Sequence, residues 1–229
     1  MSRKVFINAG HGGVDAGAVA NGLKEKDVNL TIALACAAEL ERHGVQVKMQ
    51  RTTDKGSTSS AIAKACNEYK PNLAVDIHNN AGGGDGAEVF HHYGGGTGKT
   101  LAANILKEVV AIGQNSRGAK TKRNVLGKDY YYFIREITAQ SVIVECAFLD
   151  HTKDVQIIDT AAEQKAFGVA IAKGILKTLG VSYIEPTANS EKIYRVQVGA
   201  FSDKKNAEKL RNELIAKGFT GAYIKEGSA

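Results

Sequence analysis

An α/β fold is predicted: a largely parallel sheet flanked by helices, followed by a small α+β strand–helix–strand unit at the C-terminus. Short apolar runs alternate with segments of helical period across residues 4–179, the rhythm of strands joined by crossover helices. Runs such as Val142-Ile-Val144 are apolar throughout, as expected where helices cover both faces of a sheet. A polar stretch containing Pro186 then separates a compact final pattern from the rest.

The elements follow in order. Residues 4–8 read as a strand, and residues 28–43 as an amphipathic helix with Asp27 as its N-cap and Gly44 as its C-terminal stop. Residues 45–50 form the next strand, residues 59–69 a helix closed by Pro71, and residues 73–78 a strand. Residues 87–93 are strand-like and residues 98–113 helical. Residues 130–134 and 141–146 complete the strands, and residues 160–179 make a long last helix. The expected division is a domain over 1–180, a linker over 181–192 and a small unit over 193–229. In that unit, strands at 193–201 and 222–225 flank a helix at 203–217 with Ala207, Leu210 and Leu214 on one face.

Composition narrows the function. The chain has 229 residues, 43% apolar and 24% charged, with no apolar run long enough to span a membrane. The N-terminus lacks the apolar stretch of a secretory signal, so synthesis in the cytoplasm is expected, with action elsewhere only after lysis or through a pore. Net charge is +6. No basic run interleaved with aromatics accompanies it, so nucleic acid is not the expected partner, and an anionic envelope suits the charge equally. Cys36, Cys66 and Cys146 show no metal-ligand or disulfide spacing and are expected to be reduced and buried.

The chemistry concentrates in four residues. His11 follows the first strand in Lys4-Val-Phe-Ile-Asn-Ala-Gly-His11-Gly-Gly13, with Gly10, Gly12 and Gly13 clearing side chains around it. Glu25 stands 14 positions on, His78 closes the run from Leu73, and Glu145 ends Val142-Ile-Val-Glu145. Two histidines and a carboxylate suit an open zinc site, and a spare glutamate suits a base. A carboxylate inside an apolar strand is costly without a role. His11, His78 and Glu145 fall at or just past strand ends, where ligands gather in such sheets. His43, His91 and His92 are left out, since His43 suits a helix C-terminus and adjacent strand residues face opposite ways. Tyr93-Gly-Gly-Gly-Thr-Gly-Lys-Thr100 imitates a phosphate-binding loop but has tyrosine where the first glycine belongs.

Together, Ile7-Asn-Ala-Gly-His-Gly-Gly13 with Asp15 and Gly17, Asn21-Gly-Leu-Lys-Glu-Lys-Asp27, Asp76-Ile-His78-Asn79-Asn80 and Val144-Glu145-Cys-Ala-Phe148-Leu149 resemble the zinc-dependent N-acetylmuramoyl-L-alanine amidases of bacterial cell-wall turnover, sporulation and phage lysis. The family's usual Asp-Pro before Gly-His is Asn8-Ala9 here, and its usual Ser-Asn is Asp150-His151. The resemblance implies zinc (Zn2+) held by His11, Glu25 and His78, with Glu145 as catalytic acid/base, and peptidoglycan as substrate. It assigns no substrate-contacting residue. The tail resembles half of a sporulation-related repeat (SPOR) domain, a family implied to bind peptidoglycan. A half-repeat has too little core to stand alone, so a homodimer through the tail is expected. A phage endolysin is preferred to a sporulation lysin. The alternatives are a zinc peptidase acting on stem peptides and a non-catalytic envelope-binding protein.

Overall fold

The computed structural model describes residues 3–186, 198–219 and 223–224. The chain divides into a unit over Met1–Ile184 and another over Glu185–Ala229. In the first, β1 (Lys4–Ala9) leads through a glycine-rich loop to a tight hairpin, β2 (Val19–Ala20) and β3 (Leu23–Lys24). Asn21 and Gly22 both have positive φ at its turn, the geometry that selects an Asn-Gly pair there. Then come α1 (Glu25–Arg42), β4 (Gln46–Met49), α2 (Ser59–Tyr69), β5 (Leu73–Asn80), β6 (Ala87–His91), α3 (Gly96–Ala111) and β7 (Ser116–Lys120). A short helix, α4 (Tyr132–Glu136), precedes β8 (Gln140–Phe148), α5 (Thr152–Val155) and α6 (Ala161–Thr178).

The six-stranded sheet has the order β4-β1-β5-β8-β6-β7. Pairing is parallel except between β6 and β8. The expected α/β class therefore holds, with one antiparallel junction. Side chains alternate between two cores. Val5, Ile7, Val75, Ile77, Val142 and Val144 pack with α1, α3 and α6. Phe6, Ala74, Phe90 and Ile143 face the thinner cover of α2 and α4. Gly168 on α6 lets that helix lie against α1, since a Cβ there would come within 2.5 Å of the Ile32 carbonyl oxygen.

Several expected elements need correction. Asp27 does not cap α1, which starts at Glu25 with Lys24 in the cap position. The backbone N–H groups of Glu25 and Lys26 donate instead to the carbonyls of Ala18 and Ala16, so loop backbone meets the helix's need for acceptors. Residues 130–134, expected as a strand, contain the start of α4. The adjacent residues Phe133 and Ile134 are both buried in the same cluster, which a helical turn permits and a strand's alternation does not. The glycine-rich stretch before α3 is a helix start, with Gly95 at the cap. All three cysteines are free and buried.

In the second unit, α7 (Lys204–Ala216) begins after Asp203, whose carboxylate accepts from the Lys205 N–H at 2.8 Å. Ala207, Leu210 and Leu214 are its half-buried face. The expected strands lie partly outside the described residues, at 193–197, 222 and 225. Residues 198–201 and 223–224 are not strand. Of the expected linker, residues 187–192 likewise lie outside, and residues 181–186 have no regular structure.

Candidate metal centre

The alternation that buries Ala74, Phe90 and Ile143 on the thin face continues toward the carboxyl ends of the parallel strands. It delivers Asp76 and His78 from β5, Glu145 from β8, Glu88 from β6 and Asn8 from β1 to that same face. His78 and Glu145 lie within their strands rather than at the ends, because β5 runs on to Asn80 and β8 to Phe148. His11 sits past β1 with φ of +62°, an unusual conformation for a residue with a side chain. The β2–β3 hairpin then turns the chain so that Glu25 opens α1, where the helix dipole favours a carboxylate.

The four sequence-predicted residues meet, three of them tightly. His11 Nε2 stands 3.1 Å from Glu25 Oε2, and His78 Nδ1 stands 3.0 Å from Glu25 Oε1. Suitable donor atoms of all three lie within 4.8 Å of one another. Two ligands on a tetrahedral zinc, each about 2.0–2.1 Å from the ion, are about 3.3 Å apart, so this donor set fits the metal. Outer partners orient both rings. His11 Nδ1 is 2.8 Å from Asp15 Oδ2, and His78 Nε2 is 3.4 Å from Asp76 Oδ1. Asn8 Nδ2 donates to Asp76 Oδ1 at 2.6 Å. Glu25 also accepts from the Ala18 and Asn79 backbone N–H groups and from Asn29 Nδ2.

Close approach explains the glycines, with one correction. A Cβ on Gly10 would lie 2.2 Å from His78 Cε1, and one on Gly17 would lie 2.5 Å from Glu25 Oε2. Gly12 and Gly13, expected to clear the same space, instead abut the backbone of Lys55 and Gly56.

Charge follows the geometry. Burial opposes ionisation of Glu25, but hydrogen bonds from His11 and His78 prevail and hold its carboxyl well below the usual range. The Glu25 hydrogen bond raises His11 against the pull of burial, helped by Asp15. Burial lowers His78, yet Asp76 and Glu25 outweigh it and leave the imidazole well above its ordinary value. Glu145 moves oppositely. Burial, with the carboxylates of Glu25, Asp76 and Glu88 against the opposing His78, pushes its carboxyl up to about 7. Its Oε2 is enclosed and has no hydrogen-bond partner.

Sequence reading missed the supports. Arg51 is buried and donates to the carbonyls of Ala9, Gly10, Thr53 and Lys26, and only its place at a strand end hinted at this. Glu88 is ion-paired with Arg117 and Lys120. The histidines set aside lie elsewhere. Nδ1 of His43 is 2.8 Å from the Glu39 carbonyl, His91 Nδ1 is 2.8 Å from the His92 carbonyl, and His92 pairs with Asp129 at 3.1 Å. A pocket of about 170 Å³ opens beside His78, lined also by Asp76, Tyr131 and Tyr132.

A family model described as N-acetylmuramoyl-L-alanine amidase matches residues 5–177. The chain belongs to that family. The amidase is 32% identical over 225 residues to the N-acetylmuramoyl-L-alanine amidase CwlM of Bacillus licheniformis, covering 96% of this chain and 84% of that protein. It is 33% identical over 226 residues to the sporulation-specific N-acetylmuramoyl-L-alanine amidase of Bacillus subtilis, with the same two coverages of 96% and 84%. Among solved structures it resembles Cwp6 from Clostridium difficile, with a TM-score of 0.77 and 37% identity over 78% of this chain and 30% of that one. A SPOR domain model matches residues 190–229 of the amidase. It is thus an enzyme that hydrolyses the amide bond between N-acetylmuramic acid and L-alanine in peptidoglycan.

Proposed function

We propose that this amidase is a zinc enzyme in which His11, Glu25 and His78 hold the metal and Glu145 handles the protons. The observation that carries the reading is the convergence of two imidazoles on one carboxylate, with the enclosed, unpartnered Glu145 Oε2 across the β5–β8 pairing from His78. A zinc ion there supplies Lewis acidity toward the lactyl carbonyl and its attacking water. Glu145 accepts the water's proton and passes it to the departing L-alanine nitrogen, a base becoming an acid as the amide breaks. A carboxyl near neutrality suits both halves of that exchange. Asp15 and Asp76 hold the two rings from behind, as the outer partners of histidines that would bind a metal do.

Incubation with purified sacculi, with and without a chelator, tests the reading. New L-alanine amino termini should appear only without chelator. Release that persists in full after stripping every metal removes zinc from the account.

The tail binds the wall, in this proposal, and pairs two chains through residues 193–229. In support, Val198, Phe201, Phe219 and Tyr223 are exposed apolar side chains in that unit, which a second copy would cover. Pairing would set two catalytic units on one stretch of wall and raise their effective concentration. Light scattering should give a dimer for the full chain and a monomer for residues 1–180, the latter active but weaker on intact walls. A monomeric full chain at micromolar concentration ends the pairing idea. The likeness to a sporulation-specific amidase through the tail supports action on the wall once the producing cell lyses.

A further inference from the structure

We infer that Asp85, His151 and Asp154 form a second, structural zinc site, separate from the catalytic group and independent of the roles proposed there. The three residues present donor atoms within 4.8 Å of one another. Asp85 comes from the glycine-rich link between β5 and β6, His151 is the N-cap of α5, and Asp154 lies in the first turn of that helix. Asp154 is only 1% exposed. Its Oδ2 accepts from the backbone N–H groups of Gly86 at 3.0 Å and Phe148 at 2.6 Å, leaving Oδ1 to face His151 Nδ1 at 3.6 Å. His151 Nδ1 is enclosed, lacks a hydrogen-bond partner and lies equally 3.6 Å from Asp85 Oδ1.

The two carboxylates are already oriented from behind. Asn115 Nδ2 donates to both oxygens of Asp85 at 2.9 Å, and the two amides fix Asp154, the kind of outer support that metal ligands use. One imidazole nitrogen with two carboxylate oxygens suits zinc, whereas calcium and magnesium favour all-oxygen sets. Ion pairs at 3.6 Å are too long to satisfy an enclosed ring nitrogen. A zinc ion would replace them with bonds of about 2.0–2.2 Å and leave a fourth position for water. Its effect would be to staple the loop that follows β5, the strand carrying His78, onto the end of β8. Asp150 already begins that work by accepting from the backbone N–H groups of Gly82 and Gly83.

Full-length protein stripped of metal, dialysed against zinc and counted by mass spectrometry tests this. Wild type should take two zinc ions per chain, while Asp85→Asn and His151→Ala each take one and keep their activity within about twofold. Zinc should also raise the melting temperature of wild type more than that of either variant. Asp85→Asn preserves shape and guards against a folding defect in the histidine variant. A wild-type count that neither substitution lowers, whether one or two, overturns the proposal, whereas a count of one that both substitutions reduce to zero would count against the catalytic zinc instead. The overturning outcome would leave His151 as an ion-pair partner of the two aspartates and nothing more.

Discussion

His78 and Glu145 are direct partners in the parallel pairing of β5 with β8, and Glu88 of β6 pairs with Glu145 from the other side. The sheet ladder therefore fixes the spacing of imidazole and carboxyl without any loop between them. That rigidity suits the proton-transfer role proposed for Glu145, since misplacement by about 1 Å is costly to rate. It also explains the carboxyl's environment. Central strands are buried, and the neighbouring carboxylates leave Glu145 reluctant to ionise.

Glu145→Gln should keep zinc and lose turnover by at least about 100-fold, the usual worth of a general base. Stability should move the other way in metal-free protein. A carboxyl raised from 4.5 to about 7 favours the fold when protonated, and its cost grows as pH climbs past the unfolded value. Calorimetry should therefore find Glu145→Gln more stable than wild type at pH 8 and little different near pH 4. Loss of the metal on this substitution would reverse the roles given to Glu25 and Glu145.

His11 and His78 are raised above 6.5 without metal. Their stabilising contribution is complete below 6.5 and disappears as pH rises through the folded values. The depressed Glu25 contributes above 4.5 and loses its contribution as pH falls toward its folded value. Zinc needs both imidazoles unprotonated. The rise in melting temperature on adding zinc should thus be small at pH 5 and large at pH 8. His11→Ala and His78→Ala should abolish that rise along with activity. A zinc effect that does not change with pH would count against these two ligands.

The sequence made most of this site legible because its donors sit on elements with strong signals. Leu73-Ala-Val-Asp-Ile-His78 and Val142-Ile-Val-Glu145 carry the apolar signal of buried strands, while the β5–β8 register that puts His78 and Glu145 on one face appears only in the fold. The loops gave less away. β7 reads Ser-Arg-Gly-Ala-Lys, with no apolar period to reveal an edge strand. The start of α1 is hidden in the sequence because its first N–H groups find loop carbonyls, for which no residue type is a marker. The aromatic run of α4 reads as a strand because aromatic β-propensity reflects packing context rather than the backbone. Arg51 serves through carbonyls contributed by three segments, a convergence visible only once the chain has folded.

Gly10 is where backbone and the candidate metal site press most closely. Its φ is outside the left-handed region, so alanine is tolerated by the backbone. The added Cβ, however, would stand 2.2 Å from His78 Cε1 and 2.3 Å from Nε2, and the ring must swing away from Glu25. Gly10→Ala should fold, as circular dichroism would show, yet bind zinc at least about tenfold more weakly, the scale on which misoriented ligands act. Zinc affinity matching wild type in a chelator competition would mean that the ring has room the structure does not show.

Arg51 gathers the turn that carries His11. Its Nε donates to the Ala9 carbonyl at 2.8 Å, and Nη2 reaches the carbonyls of Gly10 at 3.1 Å and Lys26 at 2.7 Å. The end of β1, the first turn of α1 and the segment after β4 are tied by one planar fork. Lysine keeps the charge but offers a single point of donation on a flexible stem. Arg51→Lys therefore strands buried carbonyls, at a cost of about 1–3 kcal/mol for each one left unsatisfied. Urea unfolding of the metal-free variant should show a loss within that range or above it. Zinc affinity should fall as well, by about 10–100-fold if Arg51 supports the ligand turn as outer residues do. A variant that loses stability yet keeps full zinc affinity would make Arg51 a brace for the fold alone, with the His11 turn held by its own glycines and by Asp15.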